Sequence, residues 1–434
     1  MNLFIINFTW IIFLTRYHSN QKQGSNVLSS IMSKSQALGP GILMATASVG
    51  GSHLVAATQA GALFGWQLLW LIIAVNVLKY PFFRFGVEYT LRTNQSLVQG
   101  YKDKNPSLFY LFFIVNLLAA VVNTAGVLLI TAALLQYILP GDFSLTTLSF
   151  GLLFVCLGIL IFGHYKLLDN SSKVIMVFLC IATAAAFIVA LINGPAHPTP
   201  QEAPSPYELA LLGFMVALMG WMPAPIEVSA INSLWLKSKL KTAKLTRQQS
   251  LFDFNLGYAM MLVLALVFFA LGVLLQYGQE QKIELAGVAF SKQLIDMYAM
   301  TIGEWSRWLI AVVAFLCMFG TTITVLDGYA RTLDESLKII KPHDYKHSLS
   351  LLIGLQSALG MIVVLFFKGN LKEMLMFAMT MAFLTTPFFA WLNLSLIKGE
   401  IYESLPKPVK VLSTLGLIYL VSFSLLFVVW RWVL

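Results

Sequence analysis

The chain has 434 residues, 58% of them hydrophobic and only 11% charged, with a mean hydropathy of +0.79. Soluble domains carry about 25% charged residues, so the composition excludes an ordinary globular protein and points to a polytopic α-helical membrane protein. The net charge of +9 would suit a nucleic-acid partner, but Lys and Arg gather in a few short loops between apolar runs, so none is expected; the membrane itself is the expected partner.

The N-terminal stretch is unusual. Leu3 to Leu14 is apolar but too short to span, no basic residue precedes Leu3, and Thr15 to Ser35 is polar. Residues 1–36 therefore read either as a cytoplasmic extension or as an artefact of an upstream start codon, with Met32 beginning the natural protein. From Ala37 onward, run length gives about eleven spans, since each needs about 20 residues. Their limits are 37–62, 66–90, 108–136, 145–163, 172–193, 208–236, 251–276, 304–334, 348–367, 371–396 and 410–433. The runs do not alternate polar and apolar residues as barrel strands would. Cys156, Cys180 and Cys317 lie inside apolar runs without CxxC or Cys/His spacing and read as packing residues.

Spans one and six are interrupted. The first reads GPGILMATASVGGSHLVAATQAG, with a soft centre at Val49-Gly50-Gly51-Ser52-His53. The second reads LLGFMVALMGWMPAPIEVSAINSLW, where Pro223 and Pro225 each remove a backbone donor and stop a continuous helix. Unwound backbone inside a bilayer persists only when buried in protein or lining a cavity. Paired interruptions in matching positions of two halves point to a transporter's binding site.

The loops after spans two, six, eight and ten hold the basic residues, Lys237, Lys239, Lys241, Lys244 and Arg247 among them, whereas the Pro-rich loop 194–207 has no Lys or Arg. The basic side is the cytoplasm, which places the N-terminus inside, Leu434 outside, and the protein in the cell inner membrane as a multi-pass protein. Span one then starts inside and span six outside, so the halves are inverted relative to one another. The prediction is an all-α, LeuT-like 5+5 inverted repeat: residues 37–193 form the first repeat, 194–207 an extracytoplasmic loop, 208–396 the second repeat and 397–434 an eleventh span.

Three stretches resemble the natural resistance-associated macrophage protein family: Ala47 to Trp70, above all QAGALFGWQLLW; Met222-Pro223 in span six; and GTTITVLDGYA in span eight. The resemblance implies a proton-coupled importer of a divalent transition metal. The family's first-helix motif is Asp-Pro-Gly-Asn, which aligns here with Gly50, Gly51, Ser52 and His53. The metal carboxylate is thus replaced by glycine and the amide by histidine. The family's span-six methionine aligns with Met222, and its partner carbonyl with Met219. The His and Asn after the family's Met-Pro are Ala224 and Pro225, and the acidic residues of its span three align with Leu117 and Ala120. The implied branch has an altered metal motif.

The residues left to carry cargo are Gly50, Gly51, Ser52, His53, Met219, Met222 and Glu227. Imidazole and thioether suit soft divalent ions such as Zn²⁺ or Fe²⁺; Glu227 stands at the start of a half-helix, where an anion gains from the dipole. Each has a bland alternative: His53 hydrogen-bonding the frayed carbonyls, Met222 packing, Glu227 capping or pairing. His53, Glu227, Asp327 and Asn123 are the candidates for a proton pathway. Asp327 and Arg331 are one turn apart and expected to pair, as are Arg84 and Glu88; Lys79 is a further ionisable residue within span two. Nothing marks an enzyme: there is no GxxxxGK[ST] loop and no HExxH. No cofactor is expected beyond transported metal. The function predicted is a secondary active transporter importing a divalent metal ion (Mn²⁺ or Fe²⁺-like) with protons as the coupling partner; the alternative is a LeuT-fold carrier of a small organic solute such as an amino acid. The oligomeric state is open, with a monomer allowed.

Overall fold

The computed structural model describes residues 38–198, 205–278, 287–342, 347–367 and 371–432. The expected extension 1–36 lies outside the described residues, as does the middle of the Pro-rich loop.

Among the described residues, nine helical stretches are long and apolar enough to cross a membrane. One of them, Pro40–Thr93, holds spans one and two, and the interrupted span six adds another crossing. Span one is Pro40–Ser48, a wide-turn segment Gly51–Ala57, and Thr58–Phe64; span two is Leu69–Thr93. Span six is Leu212–Trp221 and Val228–Thr242. Spans three, seven and eleven are Pro106–Ile138, Arg247–Gln276 and Lys407–Trp432; span eight crosses within Arg307–Ile340. Capping chemistry sets several starts. Asn105 accepts from the Ser107 N–H at 2.8 Å ahead of Pro106, and Thr246 with Gln249 forms a reciprocal capping box.

Two features differ from the run-length reading. Spans four and five share one helical stretch, Leu145–Asn193, within which 145–162 and 172–193 are the apolar crossings. The link between them contains no proline, so helical hydrogen bonding continues through its polar residues. The connection between spans seven and eight carries a 16-residue helix, Gly287–Ile302, too short to register as a span.

Lipid supplies no hydrophobic force between helices, so contact depends on small residues and internal hydrogen bonds. Span one lies directly on span seven: a Cβ on Gly41 would strike the Asp253 carbonyl, and one on Gly272 the Thr58 carbonyl. The Asp253 carboxylate accepts from the Gly39 and Gly41 N–H groups at 3.0 and 2.7 Å, capping the start of span one. Tyr258 of span seven donates to the Asn76 carbonyl of span two at 2.6 Å. A second group forms around spans three and eight, where Asn116 donates to Thr332 (2.8 Å) and Thr131 bonds Thr322 (2.8 Å). At the end of span two, Glu88 is fully buried and held by Arg84 and by a bidentate Arg247. The Arg84 partner was legible one turn away; the Arg247 partner was not.

Candidate functional site

Both interruptions are real and both are buried. In span one the helix ends at Ser48 and resumes at Gly51. This frees carbonyls that no later turn can use. Span eight supplies the donors: the Thr321 hydroxyl lies 2.9 Å from the Thr46 carbonyl and 3.0 Å from that of Val49, and the Cys317 thiol is 3.1 Å from Val49. In span six the helix stops at Trp221, Met222 is extended, the Met222–Pro223 bond is cis, and the helix resumes at Val228. The donor here is an ammonium. Lys79 Nζ, fully buried on span two, reaches the carbonyls of Met219 (2.7 Å), Gly220 (3.1 Å) and Ala224 (3.3 Å).

The interruptions converge on one cavity of about 40 Å³, room for a few waters or one small solute. Span one contributes Ala47, Ser48, Gly51 and Ser52; span three Asn123 and Val127; span six Trp221, Pro225, Val228 and Ile231; span eight Thr321, Thr324, Val325 and Tyr329. Its polar side chains are hydroxyls, one amide and the Trp221 indole, whose N–H has no partner among the described residues. Among the described residues, no carboxylate, imidazole or amine lines it.

A hydrogen-bonded chain leads away from the cavity. Asn123 donates to the Tyr329 hydroxyl at 3.0 Å, and that hydroxyl donates to Glu227 Oε1 at 3.2 Å. Glu227 is 1% exposed and its Oε2 has no hydrogen-bond partner among the described residues.

A family model described as natural resistance-associated macrophage protein-like matches residues 41–429. The chain belongs to that family. An uncharacterized protein of Pasteurella multocida (strain Pm70) is 50% identical over 403 residues, covering 91% of this chain and 92% of its own length. Among solved structures, the Eremococcus coleocola manganese transporter in complex with an aromatic bis-isothiourea compound has a TM-score of 0.65 at 14% identity, covering 91% of this chain and 86% of that one. MhsT in complex with L-phenylalanine scores 0.64 at 12%, covering 89% and 98%. Mhp1, a nucleobase-cation-symport-1 transporter with bromovinylhydantoin bound, scores 0.59 at 12%, covering 89% and 91%. At such identities these likenesses establish the fold, the LeuT-like arrangement read from the sequence.

Within this family member the sequence-predicted residues divide. Gly51, Ser52 and Asn123 line the cavity, and Pro225 with them. Gly50, aligned with the family's aspartate, has no space for a side chain: an added Cβ would stand 2.7 Å from Thr321 Oγ1. A Cβ on Gly51 would meet the Trp221 ring at 2.8 Å. His53 does not join the cavity lining. Its Nε2 is 2.9 Å from the Met261 carbonyl of span seven, and Nδ1 is 2.6 Å from Ser52 Oγ. A carbonyl only accepts, so Nε2 carries a proton and the ring is pinned to span seven. Met222 is fully buried but outside the lining, so neither of these two expected cargo ligands reaches the cavity. The Met219 carbonyl, expected as a ligand, is taken by Lys79, and its sulfur accepts from the Tyr419 hydroxyl at 2.6 Å. Asp327 accepts from Trp235 Nε1 (2.9 Å) and Arg331 Nε (2.6 Å), the structural pairing its spacing favoured. Among the described residues, no group of three or more His, Cys, Asp and Glu is placed to hold a metal ion.

Sequence reasoning missed Thr321, Tyr329 and Trp221 at the cavity and missed the partner of Lys79. For Lys79 the signal was there: an ammonium inside a span must find acceptors.

Proposed function

We propose that this protein is a secondary transporter that carries its cargo by alternating access, and that the cargo is a divalent metal ion of the Mn²⁺ or Fe²⁺ kind. The observation behind this reading is family membership across 41–429, joined to a cavity formed where both helix interruptions meet. Metal would find hydroxyl and amide oxygens from Ser48, Ser52, Thr321, Tyr329 and Asn123, with Met222, Glu227 and His53 in the surrounding shell. Spans one, two, six and seven are tied to one another by His53, Lys79 and Tyr258, and spans three and eight by Asn116, Asn123 and Thr131. Relative rocking of two such groups about a fixed site is the general means of alternating access in this architecture. On this reading residues 37–193 and 208–396 are the two repeats, the N-terminus is cytoplasmic, Leu434 is outside, and the membrane is the inner one. Glu227, reached from the cavity through Asn123 and Tyr329, is the group we assign to proton coupling; Asp327 is tied to Arg331 and Trp235 instead.

One observation favours a second cargo class, a small organic solute such as an amino acid. The cavity lining is uncharged, and the Met219 carbonyl that a metal would need already holds an ammonium. Uncharged donors and half-helix starts suit a zwitterion or carboxylate. Calorimetry of purified protein with Mn²⁺, Fe²⁺ and Zn²⁺ against a panel of amino acids separates the two. Metal cargo predicts heat with Mn²⁺ that Ser52→Ala and Asn123→Ala weaken; heat only with an amino acid establishes the second class and rejects the first.

A further inference from the structure

We propose that the Lys79 ammonium is a resident cation that fills a cation site at the span-six interruption, so that this interruption takes no ion from solution. The proposal concerns the interruption and holds for either cargo.

The site has the make-up of a small cation's coordination shell. Three carbonyl oxygens, from Met219, Gly220 and Ala224, converge on one point at 2.7 to 3.3 Å. The point lies at the C-terminal end of Leu212–Trp221, where the helix dipole is negative. It is sealed: Lys79, Met219 and Met222 are each 0% exposed and Ala224 is 1%. Glu227, itself buried, stands where the same span restarts as a helix at Val228. Converging carbonyl oxygens shut off from water are what a dehydrated cation requires. The chain meets that requirement with a covalently attached cation.

The interruption in span one shows that such an arrangement is not forced by broken helices in general. There the freed carbonyls are met by a neutral hydroxyl and a thiol. The position of Lys79 is also costly unless its charge is used, since a buried amine without acceptors or a counter-charge is strongly disfavoured. A neutral amide such as that of Gln has only two N–H donors for these three carbonyls and brings no positive charge. An ammonium offers one N–H to each carbonyl and brings the charge of a cation to that point.

The test is thermal unfolding of purified protein at constant ionic strength in Na⁺, K⁺ or N-methylglucamine chloride, for wild type, Lys79→Ala, Lys79→Gln and Lys79→Arg. The wild type should melt at one temperature in all three salts. Lys79→Ala and Lys79→Gln should melt lower in N-methylglucamine and regain roughly 3 °C or more with Na⁺ or K⁺, since a ligand that binds only the folded state raises its melting point. Lys79→Arg should stay indifferent to the salt. A Na⁺- or K⁺-specific shift in the wild type would overturn the proposal, and that measurement needs no variant. So would a folded, monodisperse Lys79→Ala or Lys79→Gln whose melting point ignores the cation, which is the outcome for a lysine that is only a hydrogen-bond donor. Neither result depends on whether calorimetry finds Mn²⁺ or an amino acid as cargo.

Discussion

In span one the carbonyls freed at Thr46 and Val49 are met by a hydroxyl and a thiol; in span six those of Met219, Gly220 and Ala224 are met by an ammonium. Both satisfy the demand that backbone polar groups in the bilayer find partners within the protein. They differ in what they leave for cargo. The neutral cap keeps Ser48, Gly51 and Ser52 on the cavity wall, beside Thr321 itself. The charged cap withdraws the span-six carbonyls behind Trp221 and Pro225, which reach the cavity in their place. The binding space is thus built from both interruptions, while the electrostatics of each is closed locally.

Removing the charged cap should have the largest effect. Lys79→Met leaves three buried carbonyls without their donor, and a buried polar group left unsatisfied costs about 1–3 kcal/mol; thermal unfolding in detergent micelles should show the loss. Equal stability of this variant and wild type would erase the distinction between the two interruptions. Restoring the family's carboxylate comes next. Gly50→Asp pushes a side chain onto Thr321, and overpacking of this kind costs about 1–3 kcal/mol. The double variant Gly50→Asp with Thr321→Gly should recover part of that loss and bind Mn²⁺ more tightly by calorimetry than wild type. The neutral cap is worth less: Thr321→Ala should lose about 1 kcal/mol, because Cys317 still serves Val49, and Thr321→Ser should be near wild type. The smallest stability change belongs to Ser48→Ala, under about 1 kcal/mol, because its hydroxyl bonds only the Met44 carbonyl of its own helix, yet it removes a cavity hydroxyl. Its cargo affinity should fall while its melting point barely moves, a split that separates wall from frame.

The location of both interruptions was legible in the sequence. Gly50-Gly51 and the Pro223–Pro225 pair act on their own backbone, and local chemistry needs no knowledge of neighbours. The inverted order of the halves was legible too, through the basic loop after span six. The direction of His53 was not. It lies one residue from Ser52, yet a helical turn sends the one toward span seven and the other to the cavity wall. Whether a side chain at an interruption faces the cavity depends on the angle at which the helix restarts, which no spacing encodes. The same holds for Lys79: its burial was expected from its span, but the carbonyls it reaches are 140 to 145 residues away. The continuous helix through the link of spans four and five was hidden because polar residues end a hydrophobic run without ending a helix.

The central claim is that cargo occupies the space between the two interruptions. Its most direct test is uptake into proteoliposomes of radiolabelled Mn²⁺ and of a radiolabelled amino-acid panel, comparing wild type with Ala47→Phe, whose ring would fill a cavity of about 40 Å³. Whichever probe the wild type accumulates should no longer be carried by the variant, with both proteins monodisperse and melting within a few degrees of each other. Uptake at the wild-type rate by a folded Ala47→Phe protein would contradict it.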